Sequence, residues 1–245
     1  MNIPAIYVKN DFWVTFELHT IFHHPIGKET IFKGGTALLK CFDLIERFSE
    51  DIDLVVLRKY GESNSKLTNK IKEISSVVSS VPSEVFVNDV TQKMGTNRKT
   101  AHTYAKEFQE NYGQVRDKII VEATWLGYFE PYSSQKINSF IYKMMKDLGQ
   151  EKLAEENGLL KFEVLVLDST RTFCEKIMSL VRFSYTENAI DDLNKKIRHV
   201  YNLHQLLLDR NIEAFLNLII TLIRNKYVSI VIYINTSRTI QLIGC

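Results

Sequence analysis

The order of elements along the chain predicts an α+β fold that ends in helices. Three observations carry that reading. Short β-branched runs, Ile31-Phe32, Leu54 to Leu57, Lys118 to Trp125 and Phe162 to Leu167, are separated by stretches of helical pattern. From Ser169 onward the apolar residues recur at helical spacing, through Phe173, Ile177, Leu180 and Val181 and then from Ile190 to Leu208. Finally, 245 residues at 45% hydrophobic and 24% charged are enough to bury a sizeable core, in one domain or two small ones.

The elements follow in order. Asp11 to His23 is rich in apolar and aromatic residues and reads as a buried helix closed by Pro25 and Gly27, with His23 and His24 as cap or surface groups. Ile31-Phe32 is a short strand that delivers the turn Gly34-Gly35-Thr36, after which Ala37, Leu38, Cys41, Phe42 and Ile45 keep helical spacing. Lys40, one turn beyond Thr36, faces either phosphates or solvent. Asp51 to Leu57 is a strand, and Glu62 to Ser80 becomes helical before Pro82 stops it. Glu84 to Val90 alternates as a strand, Gln92 to Lys99 reads as a basic loop, and Thr100 to Phe108 alternates again. Polar text at Pro131 to Lys136 marks a long loop, and Ile137 to Asn157 gives no clear pattern. Ser169 or Thr170 is the expected cap of the next helix. Ile190 to Leu208 reads as one amphipathic helix with Lys195, Arg198, Asn202 and Gln205 on its polar side.

Composition narrows the function classes. A net charge of +2 is too small to argue for nucleic-acid binding, so any basic surface must be local. Cys41, Cys174 and Cys245 are odd in number and far apart, which gives neither a disulfide framework nor a metal-ligand spacing. Met1 to Val14 holds no continuous apolar stretch of a secretory leader. Arg224-Asn225-Lys226 interrupts the late apolar runs Phe215 to Ile223 and Tyr227 to Ile234 before they reach membrane-spanning length. A cytoplasmic protein with reduced thiols and no membrane partner is expected. The last thirty residues differ in character from the rest, as a frameshifted or shortened C-terminus would.

The most informative stretch is Phe32 to Leu57, FKGGTALLKCFDLIERFSEDIDLVVL. Glycines let a backbone approach a phosphate, and a helix N-terminus behind them points free N–H groups at that anion. In a strand Asp51 and Asp53 face the same way, and two carboxylates on one face can grip a divalent ion that bridges to phosphates. Either half alone is commonplace; the two together, on opposite sides of one helix, point to a polyphosphate and its metal. Glu122 sits inside the apolar run KIIVEATW, where a carboxylate needs a partner or a metal. On its own it serves equally as a structural ion-pair partner. Antiparallel pairing beside the Asp51 strand would carry it to the same ion.

These motifs resemble the first motif of the polymerase-beta-type nucleotidyltransferase superfamily. The wording KGGTALLK with RFSEDIDL is similar, more narrowly, to the AbiEii/AbiGii toxin family of phage-defence toxin–antitoxin systems. The resemblance implies two lobes, an N-terminal nucleotidyltransferase lobe on a mixed sheet over 1–160 and a mainly helical C-terminal lobe over 161–245, with the active site in the cleft between them. It implies that Gly34, Gly35 and Thr36 hold a nucleoside triphosphate and that Asp51, Asp53 and Glu122 bind Mg2+. CEKIMSLVRF is similar to the family's third motif, which makes Lys176 a phosphate contact. RHVYNLHQLL resembles the fourth motif and adds Arg198, with Asn202 where an aspartate is expected; an amide can orient a group but takes no proton. The activity implied is nucleotide transfer to an acceptor, in related toxins the 3′ end of tRNA, alongside a cognate antitoxin. The departure at Asn202 leaves open a nucleotide-binding protein with little or no turnover, and the acceptor open to a protein or small molecule.

Overall fold

The computed structural model describes residues 3–49, 51–79, 82–88, 90–104 and 118–224. The sequence folds into two compact units, Met1–Thr172 and Phe173–Cys245.

The first unit is built on a mixed sheet. Helix α1 (Ala5–His23) passes through a 3-10 turn (Pro25–Glu29) into β1 (Thr30–Lys33), and α2 (Gly34–Phe42) starts at the next residue. Then come β2 (Ile52–Val56), α3 (Asn64–Val78), β3 (Ser83–Val85), β4 (Gln92–Lys93), β5 (Asn97–Thr103), β6 (Lys118–Thr124) and β7 (Tyr132–Ile137). Helices α4 (Phe140–Asp147) and α5 (Glu151–Glu156) lead to β8 (Phe162–Leu167). The strands lie in the order β3-β5-β6-β2-β1-β8-β7, with β4 also on β5. Pairs β1·β8 and β2·β6 are parallel and the remaining pairs antiparallel.

Alternation along the strands makes two different faces. Phe32, Ile52, Leu54, Val56, Ile119, Val121, Ala123, Val164 and Val166 join Val14, Leu18 and Ile21 of α1 and Leu67, Ile71, Ile74 and Val78 of α3 in the main core. Each fully buried Val, Leu, Ile or Phe among them contributes about 2 kcal/mol of transfer free energy. Ile31, Val55 and Leu167 belong to a small separate cluster with Leu57, Phe129 and Leu165. Strand residues alternating with the main core, Lys33, Asp53, Glu122 and Lys99 among them, therefore face away from α1 and α3.

Several sequence expectations change. Gln92 to Lys99 is not a loop: it holds β4 and the start of β5, because Lys93 pairs with Glu84 (2.5 Å), Arg98 donates to Ser75 Oγ (2.8 Å) and Lys99 pairs with Glu122 (3.1 Å). Pro131 to Lys136 is not a loop either, since pairing with β8 makes most of it the edge strand β7 despite its polar text. The alternation at Glu84 to Val90 sustains a strand only to Val85, and residues 105–108 lie outside the described residues. The sheet extends past residue 160, because β8 pairs with β1 and β7, so the division into units falls at Thr172/Phe173. Helix α6 (Ser169–Phe183) is capped by Asp168 rather than by Ser169 or Thr170; its Oδ1 accepts from Thr170 N–H (2.8 Å) and the Thr170 hydroxyl (2.6 Å).

In the second unit the expected helix Ile190 to Leu208 is broken into α7 (Ala189–Asn194) and α8 (Ile197–Leu207), and residues 210–224 are helical. Asn202 and Leu206 are buried, whereas Ile190, Ile197, Val200, Leu207 and Leu208 of the apolar stripe are exposed. The buried positions are therefore not those of the apolar stripe. The run Tyr227 to Ile234 lies outside the described residues. No described helix is long and apolar enough to cross a membrane.

Candidate active site

The site is assembled where β1 runs straight into α2. Lys33 ends the strand with extended backbone, and Gly34 turns at φ +82°, a conformation that L side chains rarely adopt. A Cβ on Gly34 would stand 2.1 Å from Asp53 Oδ2, so glycine is required here twice, for its backbone angle and for the approach of that carboxylate. The N-terminal turn of α2 carries N–H groups with no partner within the helix, the arrangement that attracts anions.

Thr36 is wholly buried. Its hydroxyl meets the Asp51 carbonyl oxygen (2.5 Å) and Ser49 Oγ (2.9 Å), fixing the start of α2 to the chain just ahead of β2. The side chain of Thr36 thus acts on the position of Asp51, one residue before the strand.

Register sets the carboxylates. Asp53 of β2 is paired with Lys33 of β1 on one side and with Glu122 of β6 on the other, and Glu122 is paired with Lys99 of β5. Paired residues on adjacent strands project to the same face, so Lys33, Asp53, Glu122 and Lys99 form one row across four strands. The neighbouring strands are parallel where the sequence reading expected antiparallel pairing; the convergence of Asp53 and Glu122 is produced by a different connection, through α3 and the β3–β5 strands. Glu122 itself is held: Lys99 Nζ lies 3.1 Å from Oε2 and Asn97 Nδ2 donates to Oε1 at 3.3 Å. Among the described residues no three His, Cys, Asp or Glu side chains stand close enough together to hold one ion.

Lys40 contacts neither phosphate nor solvent. It is buried against Asp11, with Nζ 2.6 Å from Oδ1, 2.8 Å from Thr15 Oγ1 and 3.4 Å from the Asn138 carbonyl. The other Asp11 oxygen accepts the Phe140 N–H (2.7 Å) at the start of α4. This lysine ties three helices together. The adjacent Cys41 thiol is pushed up to about 12 by burial, which leaves it unreactive.

The remaining sequence candidates lie in the second unit. Lys176 of α6 is buried rather than solvated, Arg198 of α8 is exposed, and Asn202 is buried at 1% exposure. Sequence reading missed Lys99 as a site neighbour, because only strand register brings it opposite Glu122.

Residues 18–232 match the family model described as the nucleotidyl transferase AbiEii toxin of type IV toxin–antitoxin systems. The chain belongs to the AbiEii family. No curated protein matches it. Among solved structures it is similar to MenT4, the nucleotidyltransferase toxin Rv2826c of Mycobacterium tuberculosis H37Rv, at 15% identity and a TM-score of 0.46, over 72% of this chain. The chain spans about half of MenT4, 52% of its length. It is also similar to JHP933 of Helicobacter pylori, at 13% identity and a TM-score of 0.43, over 85% of this chain and 69% of that one.

AbiEii-type nucleotidyltransferases generally use a divalent metal ion. The chemistry of the donors fits one, though they are not gathered around a single point: carboxylate oxygens suit hard cations such as Mg2+, and Asp53 points an oxygen at the place where Gly34 has no side chain.

Proposed function

We propose that this AbiEii chain is a metal-dependent nucleotidyltransferase toxin, acting in the cytoplasm, that moves a nucleotide from a nucleoside triphosphate to the 3′ end of tRNA. The observation that carries the reading is the row of Asp53 and Glu122 in register, with Asp53 Oδ2 aimed at the side-chain-free space of Gly34.

In this reading the backbone N–H groups of Gly34, Gly35 and Thr36 bind the triphosphate, and the Thr36 hydroxyl fixes Asp51. Asp51, Asp53 and Glu122 would hold Mg2+, which would supply neutralisation of charge on the transferring phosphoryl group. The acceptor hydroxyl oxygen forms a bond to the α-phosphorus while the bond to the β-phosphate oxygen breaks and pyrophosphate leaves. Lys176 and Arg198 contact phosphate. Asn202, an amide, orients its neighbours and accepts no proton, so the hydroxyl proton passes to water. Occupying tRNA ends halts translation, and a cognate antitoxin restrains it.

A second reading is favoured by one observation, the buried amide of Asn202 at the position where the family resemblance expects aspartate: a protein that binds nucleotide and does not transfer it. Incubation of purified protein with labelled nucleoside triphosphates, Mg2+ and total tRNA separates the two. Label on RNA that disappears in Asp51→Ala supports the transferase. Retained nucleotide with no label on any acceptor supports the second reading, and label on a lysate protein or small molecule moves the acceptor away from tRNA.

A further inference from the structure

We propose that Lys99 is an internal counter-ion that competes with the metal for Glu122. It is a positioning residue that holds the third carboxylate while the metal is not bound and gives it up when the ion arrives. The inference rests on the reading of Asp51, Asp53 and Glu122 as metal ligands.

Three observations lead to it. Glu122 is flanked in register by an acid on one side, Asp53, and a base on the other, Lys99. Both of its oxygens are taken, Oε2 by Lys99 Nζ at 3.1 Å and Oε1 by Asn97 Nδ2 at 3.3 Å. And with Glu122 so held, no three carboxylates among the described residues are gathered tightly enough for one ion. Two neighbouring carboxylates in one row repel each other, and an ammonium beside them removes that repulsion.

A divalent ion and the Lys99 ammonium compete for the same oxygens and repel one another, so occupancy by one weakens the hold of the other. Lysine suits the task because its charge is compact and rides on a flexible stem, whereas a guanidinium would lock the carboxylate with a two-pronged grip. Released from Glu122, the ammonium remains on the sheet face that carries the carboxylates, and the anion the metal brings there is a polyphosphate. Asn97 Oδ1 is buried and has no hydrogen-bond partner among the described residues, so the clamp on Glu122 leaves one of its own polar atoms unsatisfied there.

The test is Mn2+ binding to the full-length, nucleotide-free protein, followed by equilibrium dialysis. Lys99→Met is expected to tighten Mn2+ binding roughly fivefold, the scale of losing a part-exposed pair, and Lys99→Arg to weaken it below the parent. The opposite signs guard against a folding artefact, since a damaged fold weakens both. Adding Glu122→Gln to Lys99→Met is expected to remove the gain. Unchanged or weaker binding in Lys99→Met, or an undiminished gain in the double variant, overturns the role of Lys99 while Asp53→Asn still abolishes binding. If Asp53→Asn binds Mn2+ as well as the parent, the metal-site reading itself fails.

Discussion

Gly34 shows how much one missing Cβ can decide. At φ +82°, with Asp53 Oδ2 in the space a side chain would fill, alanine meets both backbone strain and a carboxylate that must move. Gly34→Ala is expected to lower stability by about 1–3 kcal/mol and to abolish nucleotide transfer, read by thermal melting and by labelled-nucleotide incorporation. Glu17 is the opposite case, a side chain present where its charge is unwelcome. It is wholly buried in α1, neither oxygen has a hydrogen-bond partner among the described residues, and burial pushes its carboxyl from 4.5 up to about 8. A carboxyl raised in the folded state stabilises the fold fully below its unfolded value. That contribution is lost as pH climbs from about 4.5 towards 8. Glu17→Gln is therefore expected to unfold in urea with roughly 3–5 kcal/mol more stability than the parent at pH 8, the two converging at pH 4. Neither residue's environment was legible in the sequence in full. The glycine pair announced a close approach, whereas a lone glutamate in an apolar helix gave no sign of lacking a partner.

Among elements, the join of α1, α2 and α4 is made by the buried pair Lys40 and Asp11, which also caps the Phe140 N–H. Removing one partner strands a buried charge, and Asp11→Ala or Lys40→Met is expected to cost about 3–5 kcal/mol. The double variant should cost less than the sum of the two, and urea denaturation of all three would show the coupling. Strands with a buried alternating face, β1, β2, β6 and β8, were readable because their pattern is set by the core they fill. Strands β4 and β7 were not, since a polar segment becomes a strand only through the neighbour it pairs with. The same limit hid Lys99: the start of its strand was read as the end of a loop, and its partner lies across a pairing that residue spacing does not encode. Asn202 and Leu206, the buried positions of α8, were likewise not marked by the apolar stripe.

At the scale of the molecule, α+β character with a helical end was legible from the order of elements, and the glycine turn and paired aspartates marked the place where the proposed function puts its chemistry. What no local pattern revealed is that β8 returns to the sheet beside β1, with Phe32 opposite Val166. Strand β1 is thereby flanked on both sides, by β2 and β8, while β5 carries only the short strands β3 and β4 on its outer edge. Hydrogen exchange should follow this placement: the amides of Ile31 to Lys33 are expected to exchange last and those of Asn97 to Lys99 earlier. A seat anchored in the sheet's middle has little room to adapt. In the proposed function a triphosphate would therefore have to fit the backbone beside Gly34 as the sheet holds it, with adjustment left to the outer strand where Lys99 stands.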